Sequence, residues 1–515
     1  MTTNSNATAP YLRKNGTATQ LIVDGAPFLV RGGELMNSSS SSLDYMQPIW
    51  ERMTALKLNT VLAAVSWELI EPEEGQFDFT LVDGLLRGAR QHGLRLILLW
   101  FGSWKNGMSS YIPLWVKRDT ARFPRATIAG KTAEVLSPLA EANWQADARA
   151  FAALMQHLKQ ADAGHHTVIM VQVENEVGIL GDSRDRSKLA ERAFAAPVPH
   201  ELVDDLVRHR DELGDELRAA WEQAGWPESG TWEQMFGAGP ATDERFMAWH
   251  YARYVDQVAA AGKAAYELPL FVNAWLSNQR PEHLPGDWPS GGPLPQVFDM
   301  WLAGAPHIDI LTPDIYEPNF EEWCQRYVRR GNPLFIPEMR WLEPGDRQVL
   351  YAIGQHDAIG TSPFAIDALL EPATAPLRNS YAALEQLQAL IVAHQGQGAM
   401  AGFLFDEQHP RVTRTLGEYE LEISLDEIFH FKAEIGYGLV IATGPDTFVG
   451  AGRGFKVTFR PLTDGPALAG IAAVDEGQFH NGVWVPDRRL NGDETAQGAA
   501  WRFGNYAIAI QQCRV

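Results

Sequence analysis

The chain has 515 residues, with 64 Asp and Glu against 43 Lys and Arg, for a formal net charge of −21. So acidic a surface repels nucleic acid and anionic membrane and favours neutral partners. Two cysteines, Cys324 and Cys513, exclude a disulfide framework; no Cys/His cluster has metal-binding spacing, and no apolar run approaches the ~18–20 residues that cross a bilayer.

The expectation is therefore no metal or other cofactor, no nucleic acid and no membrane. The polar start, Met1 to Pro10, lacks the charged and apolar regions of a secretion signal. That reads as a cytoplasmic protein, or a periplasmic or secreted one whose signal has been removed. Residues 1–15 read as a flexible tail. Gln20–Val23 and Phe28–Val30, with Asp24-Gly25 between them, read as a hairpin.

Two periods then alternate. Phe28–Arg31, Asn59–Val65, Leu94–Trp100, Thr167–Val173, Leu268–Val272, Ile308–Thr312, Pro333–Ile336 and Ser362–Ile366 are strand-like. Helical stripes run over Leu81–Gln91 and residues 146–160, the latter carrying Phe151, Leu154, Met155 and Leu158 at i, i+3, i+4 and i+7. Alternating strands and helices imply parallel pairing with right-handed crossovers. Eight units predict a (β/α)8 TIM barrel over residues 16–398. No Gly-x-Gly-x-x-Gly turn supports an open dinucleotide-binding sheet instead. Residues 178–241 are too long for a simple connection and predict a capping insertion with a helix at Glu201–Trp221. After a helix at Ser380–His394 the texture changes to short strand-like runs, among them Gly402–Phe405, Gly438–Ala442 and Ala507–Ile510. Residues 399–515 predict an all-β sandwich.

In a barrel of this kind the active groups stand at the C-terminal ends of the strands. Those ends carry Arg31 and Glu34, Trp67 and Glu68, Trp100 to Asn106, Glu174, Asn175 and Glu176, Asn273 and Trp275, Asp314 and Tyr316, Glu338 and Trp341, and Asp367. Carboxylates, amides and aromatics, without a histidine cluster, suit a neutral polyhydroxylated ligand and the cleavage of an acetal. Glu176 and Glu338 each end an apolar run, where a buried strand has no structural use for an acid. Brought together, they make the carboxylate pair of glycoside hydrolysis. Glu174 reads as a structural acid salt-bridged inside the barrel, with Arg31 as its partner. Glu34 and Glu68 stay open between sugar contact and structural pairing, and Asn273 and Trp275 lean towards sugar contact. His165 and His166, ahead of the fourth strand, read as surface residues.

The segment Gln172-Val-Glu-Asn-Glu-Val-Gly178 resembles the acid/base motif of glycoside hydrolase family 35, the β-galactosidases of clan A. Val65 to Phe79, with Glu71-Pro72 and Gly75-Gln-Phe-Asp-Phe79, resembles that family's second-strand region; the pattern also occurs in the related family 42. Ile112-Pro-Leu-Trp115 resembles the family's Leu-Pro-x-Trp. The resemblance covers residues 20–370. It implies Glu176 as general acid/base, Asn175 on the sugar 2-hydroxyl and Glu338 as nucleophile, with Tyr316, ahead of Arg31 or Arg340, keeping the nucleophile charged. It further implies a retaining exo-β-galactosidase acting on neutral oligosaccharides, such as plant cell-wall side chains; another retaining clan A glucosidase or mannosidase, or a silent sugar-binding barrel, are the alternatives. One block departs. Where the family carries Cys-Ala-Glu-Trp after the third strand, this chain has Trp104-Lys-Asn106, so Trp104, Lys105 and Asn106 are the expected substrate contacts there.

Overall fold

The computed structural model describes residues 8–277, 280, 282–428, 431–462 and 469–515. Its centre is a closed barrel of eight parallel strands: β1 (Val30–Glu34), β2 (Thr60–Ser66), β3 (Arg95–Phe101), β4 (Val168–Val173), β5 (Leu270–Trp275), β6 (Ile310–Ile315), β7 (Phe335–Met339) and β8 (Gly360–Pro363). The barrel closes where β8 pairs with β1, Gly360 opposite Val30 and Thr361 opposite Arg31. Eight helices cover it: α1 (Leu43–Ala55), α2 (Thr80–Gln91), α3 (Glu141–Asp162), α4 (Pro240–Ala265), α5 (Phe298–Gly304), α6 (Phe320–Tyr327), α7 (Gly345–His356) and α8 (Ala375–His394).

Most of the strands read as near-continuous apolar runs because both faces are buried; β1 (Val-Arg-Gly-Gly-Glu) and β8 (Gly-Thr-Ser-Pro) do not. The strands expected at Phe28–Arg31 and Ser362–Ile366 are therefore displaced: Phe28 belongs to the N-terminal sheet, and Ile366 opens a short 3-10 helix beyond β8. Along β3, Ile97, Leu99 and Phe101 point into the barrel with Leu62, Ile169, Phe271, Ile310 and Phe335. The alternate residues Leu96, Leu98 and Trp100 face the helices. The N-terminal sheet supplies Leu21 and Val23 to the interior cluster and so plugs the lower end. The tail expected over residues 1–15 is instead a strand at Tyr11–Asn15, paired with Ala18–Val23; residues 1–7 lie outside the described residues.

Four helices fill the long connection after β4: Lys188–Ala195, His200–Arg208, Asp215–Gln223 and Trp232–Phe236. The single helix expected over Glu201–Trp221 is thus two. It breaks at Leu213-Gly214, where the Gly214 amide donates to Asp299 Oδ2 at 3.0 Å and a side chain would meet Arg329 Nη1 at 2.7 Å.

From Met400 the chain forms two antiparallel sheets. One has six strands, among them Met400–Phe405, Gly436–Gly444 and Ala509–Arg514; the other has four, Arg411–Leu416, Tyr419–Leu425, Phe455–Pro461 and Trp501–Phe503. They enclose Phe403, Phe448, Phe455, Phe459, Trp501 and Phe503. The six-stranded sheet sits on α7, close enough that a Cβ on Gly354 would lie 3.0 Å from Gly402 Cα.

Candidate active site

The upper end of the barrel gathers four buried carboxylates, Glu34, Glu176, Asp314 and Glu338, around one buried ammonium, Lys105. The strands bring them there. In the β6–β7 pair Asp314 stands directly opposite Glu338, so their side chains share one side of the sheet. Glu34 ends β1. Glu176 lies three residues beyond β4, and its left-handed backbone (φ 44°) follows a second left-handed residue, Glu174 (φ 62°). Such geometry is uncommon for a side chain with a Cβ, and it persists where neighbours enforce it. Here the Glu176 amide donates to Asn273 Oδ1 at 3.0 Å, and its carbonyl accepts from Gly107 N at 3.0 Å. Two neighbouring strands therefore grip this peptide.

Lys105 and Asn106 arrive on a tight turn. Lys105 and Met108 exchange two backbone hydrogen bonds, at 2.9 and 3.0 Å, around Asn106 (φ 51°) and Gly107 (φ 69°). Positive φ at both central residues makes a type I′ turn, for which Asn-Gly is the favoured pair. The Asn106 amide donates to Glu176 Oε2. Asn273 Nδ2 donates to Asp314 Oδ2 at 2.6 Å. The Tyr316 hydroxyl, just past β6, donates to Glu338 Oε1 at 2.7 Å.

The electrostatics follow from burial and crowding. Burial first, and then the charge of Glu338, raise the Glu176 carboxyl to about 8, with Lys105 opposing. Glu34 and Asp314 lie well above the carboxylate range, again through burial and then neighbouring acids. Burial pulls the Lys105 ammonium down, but Glu338, Glu176, Glu34 and Asp314 together outweigh it and hold it above the usual lysine range. Burial and then the adjacent Glu338 raise the Tyr316 hydroxyl. Several buried atoms here have no partner among the described residues: Glu34 Oε1, Asp314 Oδ1, Glu338 Oε2 and both side-chain atoms of Asn175. Buried polar groups are normally satisfied, and these offer donors and acceptors for the hydroxyls of a ligand. Glu176, Asp314 and Glu338 also present oxygens within 4.8 Å of one another, a spacing that would suit a cation. Lys105 already supplies positive charge to this cluster.

The expected site residues divide. Glu176, Glu338, Glu34, Lys105, Asn106, Tyr316 and Asn175 come together. Asn273 belongs to the cluster but spends its side chain on Glu176 and Asp314. Trp275 is 41% exposed at the end of β5, and Trp341 is half-buried just beyond β7. Glu68 stands apart: it is half-exposed on the short helix Trp67–Ile70, pairs with Lys117 at 3.2 Å, and edges a separate pocket of about 260 Å³ with Ser40 and Tyr111. Trp104 is fully buried, packed edge-on against Tyr251 and Tyr254, with its indole donating to Leu136 O. It is a core residue, contrary to the expectation of sugar contact, because its ring turns outward into the layer between β3 and α4.

Glu174 does not pair with Arg31. Arg31 sits near the start of β1, at the other end of the barrel, and contacts Glu385, Gln388 and the Lys57 carbonyl. The Glu174 carboxylate accepts the Trp104 amide at 2.7 Å. Burial and then Asp147 raise it well above the carboxylate range. Asp147, on α3, accepts from Trp100 Nε1 at 2.8 Å and Ser103 Oγ at 2.6 Å. Glycine at 102 makes room: a Cβ there would lie 2.6 Å from Glu174 Oε1 and 2.8 Å from Asp147 Oδ1. Arg340 is also off the nucleophile candidate, donating instead to the Tyr316 carbonyl at 2.7 Å. His166 is buried on Asp24, at 2.8 Å, and is not a surface residue.

Sequence reasoning placed Asp314 at a strand end but assigned it no part, and it missed Asp147 altogether. The β6–β7 register that aligns Asp314 with Glu338 is not written in either strand, and α3 gives no sign that Asp147 faces β3. The Asn106-Gly107 dipeptide was the overlooked local signal for the turn that presents Lys105.

Residues 39–258 match the family model of glycoside hydrolase family 42, described as Beta-galactosidase. Residues 377–502 match a domain of unknown function, DUF5597. The beta-galactosidase of Xanthomonas manihotis is 32% identical over 171 residues, which cover 32% of this chain and 26% of that protein. The chain thus matches about a quarter of that relative's length. Among solved structures, the beta-galactosidase from Bacillus circulans sp. alkalophilus superposes with a TM-score of 0.48 at 14% identity, covering 70% of this chain and 57% of that one. The catalytic domain of the Paenibacillus polymyxa beta-amylase gives 0.46 at 12% identity, over 67% and 96%. The matching family model is that of family 42, whereas the motif at Gln172–Gly178 resembles family 35. Glu71 to Phe79 carries the pattern common to both, and at that coarser level this part of the chain is similar to β-galactosidase glycoside hydrolases.

Proposed function

We propose that this chain is a retaining exo-β-galactosidase that removes terminal β-D-galactosyl residues from neutral oligosaccharides, such as plant cell-wall side chains, by double displacement. One observation carries the reading: Glu176 and Glu338 present oxygens within 4.8 Å of each other. So close an approach of one oxygen from each suits a retaining enzyme, whose two carboxyl groups stand ~5–5.5 Å apart, better than an inverting one, whose groups stand ~6.5–9.5 Å apart to admit water; the anomeric configuration of the product decides between them. The family model and the curated relative, both described as beta-galactosidase, support the sugar, and the Gln172–Gly178 motif supports a family 35 type of acid/base.

Glu338 attacks the anomeric carbon while Glu176 gives its proton to the departing glycosidic oxygen. Glu176, now ionised, takes a proton from the water that hydrolyses the glycosyl–Glu338 ester, and Glu338 leaves as carboxylate. The two environments suit these roles: Glu176 holds its proton to about pH 8, and Tyr316 donates to Glu338. Lys105 balances the charge that moves between the acids. The unpartnered Asn175, Glu34 and Asp314 atoms receive sugar hydroxyls.

A panel of aryl glycosides tests this. The expected result is turnover of the β-galactoside with the anomeric configuration kept. Turnover of a β-glucoside or β-mannoside without the galactoside would move the chain to another retaining clan A glycosidase, consistent with the Lys105-Asn106 departure. Sugar binding without turnover, indifferent to changes at Glu176 and Glu338, would leave a binding barrel.

A further inference from the structure

A second cavity, of about 730 Å³, lies between α8 and the sandwich. That size falls within the ~300–1,000 Å³ of small-molecule sites. Its chemistry differs from that of an apolar ligand pocket. Two amides on its wall are clamped by their carbonyl ends: Gln386 Oε1 accepts from Phe479 N at 3.0 Å, and Gln511 Oε1 accepts from Trp501 Nε1 at 2.7 Å. That fixes each NH2 group with its donors uncommitted among the described residues. Asp487, on the same wall, has no ion-pair partner among the described residues and offers acceptors. The guanidinium groups lining the cavity are already neutralised. Arg502 pairs with Asp426 through two contacts of 2.8 Å, and Arg488 bonds Glu476 at 3.0 Å and Glu494 at 2.9 Å. At the rim Tyr506 is 99% exposed. A tyrosine ring held wholly in solvent has nothing to pack on, and it presents a flat apolar face.

We propose that this cleft is a second binding site for a neutral oligosaccharide, with a pyranose face on Tyr506 and hydroxyls on Gln386, Gln511 and Asp487. The choice of ligand class rests on the glycosidase reading above. An anion finds no uncommitted cation among the described residues here and meets Asp487. The cleft would hold a polymer while the barrel removes its terminal sugars, giving the domain matched over residues 377–502 a role in substrate capture.

Affinity gel electrophoresis of the full chain tests this, with neutral galactan, xyloglucan and galactomannan cast separately in the gels and polygalacturonate as the anionic comparison. The Glu338→Gln chain is expected to be retarded by at least one neutral polymer, with affinity falling about three- to tenfold on adding Tyr506→Ala or Asp487→Ala, the value of one ring contact or one hydrogen bond. Both positions are exposed, so neither change threatens folding. No retardation by any neutral polymer, unchanged retardation in both variants, or retardation by polygalacturonate alone would overturn the site. Aryl-galactoside turnover by the unaltered chain, read in parallel, decides the barrel reading separately from the cleft.

Discussion

The two ends of the barrel use the same residue types in opposite ways. At the lower end the acids are paired: Asp24 with Arg95 and His166, Asp162 with Arg90, Asp309 with Lys263, and Glu385 with Arg31. At the upper end four buried acids share one lysine, and Glu34, Asp314 and Glu338 each keep an oxygen without a partner among the described residues. Charges at the lower end are spent on holding strands together. Those at the upper end leave oxygens unsatisfied, as the proposed ligand site requires. The division matches the barrel's habit of keeping stability below and chemistry above.

Substitutions sharpen this contrast in decreasing order of effect. Glu338→Gln should reduce turnover by on the order of 10⁴–10⁶, as loss of a covalent nucleophile does, with folding intact by circular dichroism. Glu176→Ala should slow substrates with poor leaving groups by about 10²–10⁴ while sparing activated aryl glycosides, since acid help matters most for poor leaving groups; equal losses on both would argue against the acid role. The alkaline limb of the rate profile should lie near pH 8, where Glu176 loses its proton, and should vanish in Glu176→Gln.

Lys105→Met should move that limb to higher pH, because the ammonium opposes the rise of the Glu176 carboxyl, and should lower kcat/KM by about tenfold to a hundredfold. The smallest effects concern stability alone. Glu176 binds its proton more tightly folded (about 8) than its ordinary value of 4.5. Its contribution therefore turns against folding as pH rises between those values, and the gain in Tm of Glu176→Gln over the unaltered chain should be larger at pH 8 than at pH 5. At the lower end Arg31→Ala should cost about 1–3 kcal/mol in denaturant unfolding, by stripping bonds from a buried guanidinium site, and leave kcat/KM unchanged. Loss of activity there without loss of stability would dissolve the contrast.

Much of this was readable from sequence because a strand buried on both faces must be a continuous apolar run. Strands β2 to β7 declared themselves that way, and Glu176 and Glu338 stood out as acids at the ends of two of them; β1 and β8, Val-Arg-Gly-Gly-Glu and Gly-Thr-Ser-Pro, carry no such run and lie off the positions expected for them. The strand ends were less clear. Asn273 and Asp314 look like turn residues, yet cross-strand pairing carries β5 to Trp275 and β6 to Ile315. Errors arose where position along the barrel axis decided the partner. Arg31 reads as the end of a strand at Phe28–Arg31, but β1 runs Val30–Glu34 and leaves Arg31 at the bottom, far from Glu174. Trp104 failed for a related reason: no pattern shows which way a ring turns within a loop. Glu174 and Asp147 meet through a helix–strand contact and the gap at Gly102, neither of which local sequence encodes.

The account rests on Glu338 as the attacking carboxylate. Treating the protein with a 2-deoxy-2-fluoro-β-galactosyl inactivator and sequencing the labelled peptide tests it most directly. The label is expected on Glu338, with Glu176→Gln still labelled by an inactivator bearing a good leaving group. A label on Asp314 or Glu34, or release of a product with inverted anomeric configuration, would contradict it.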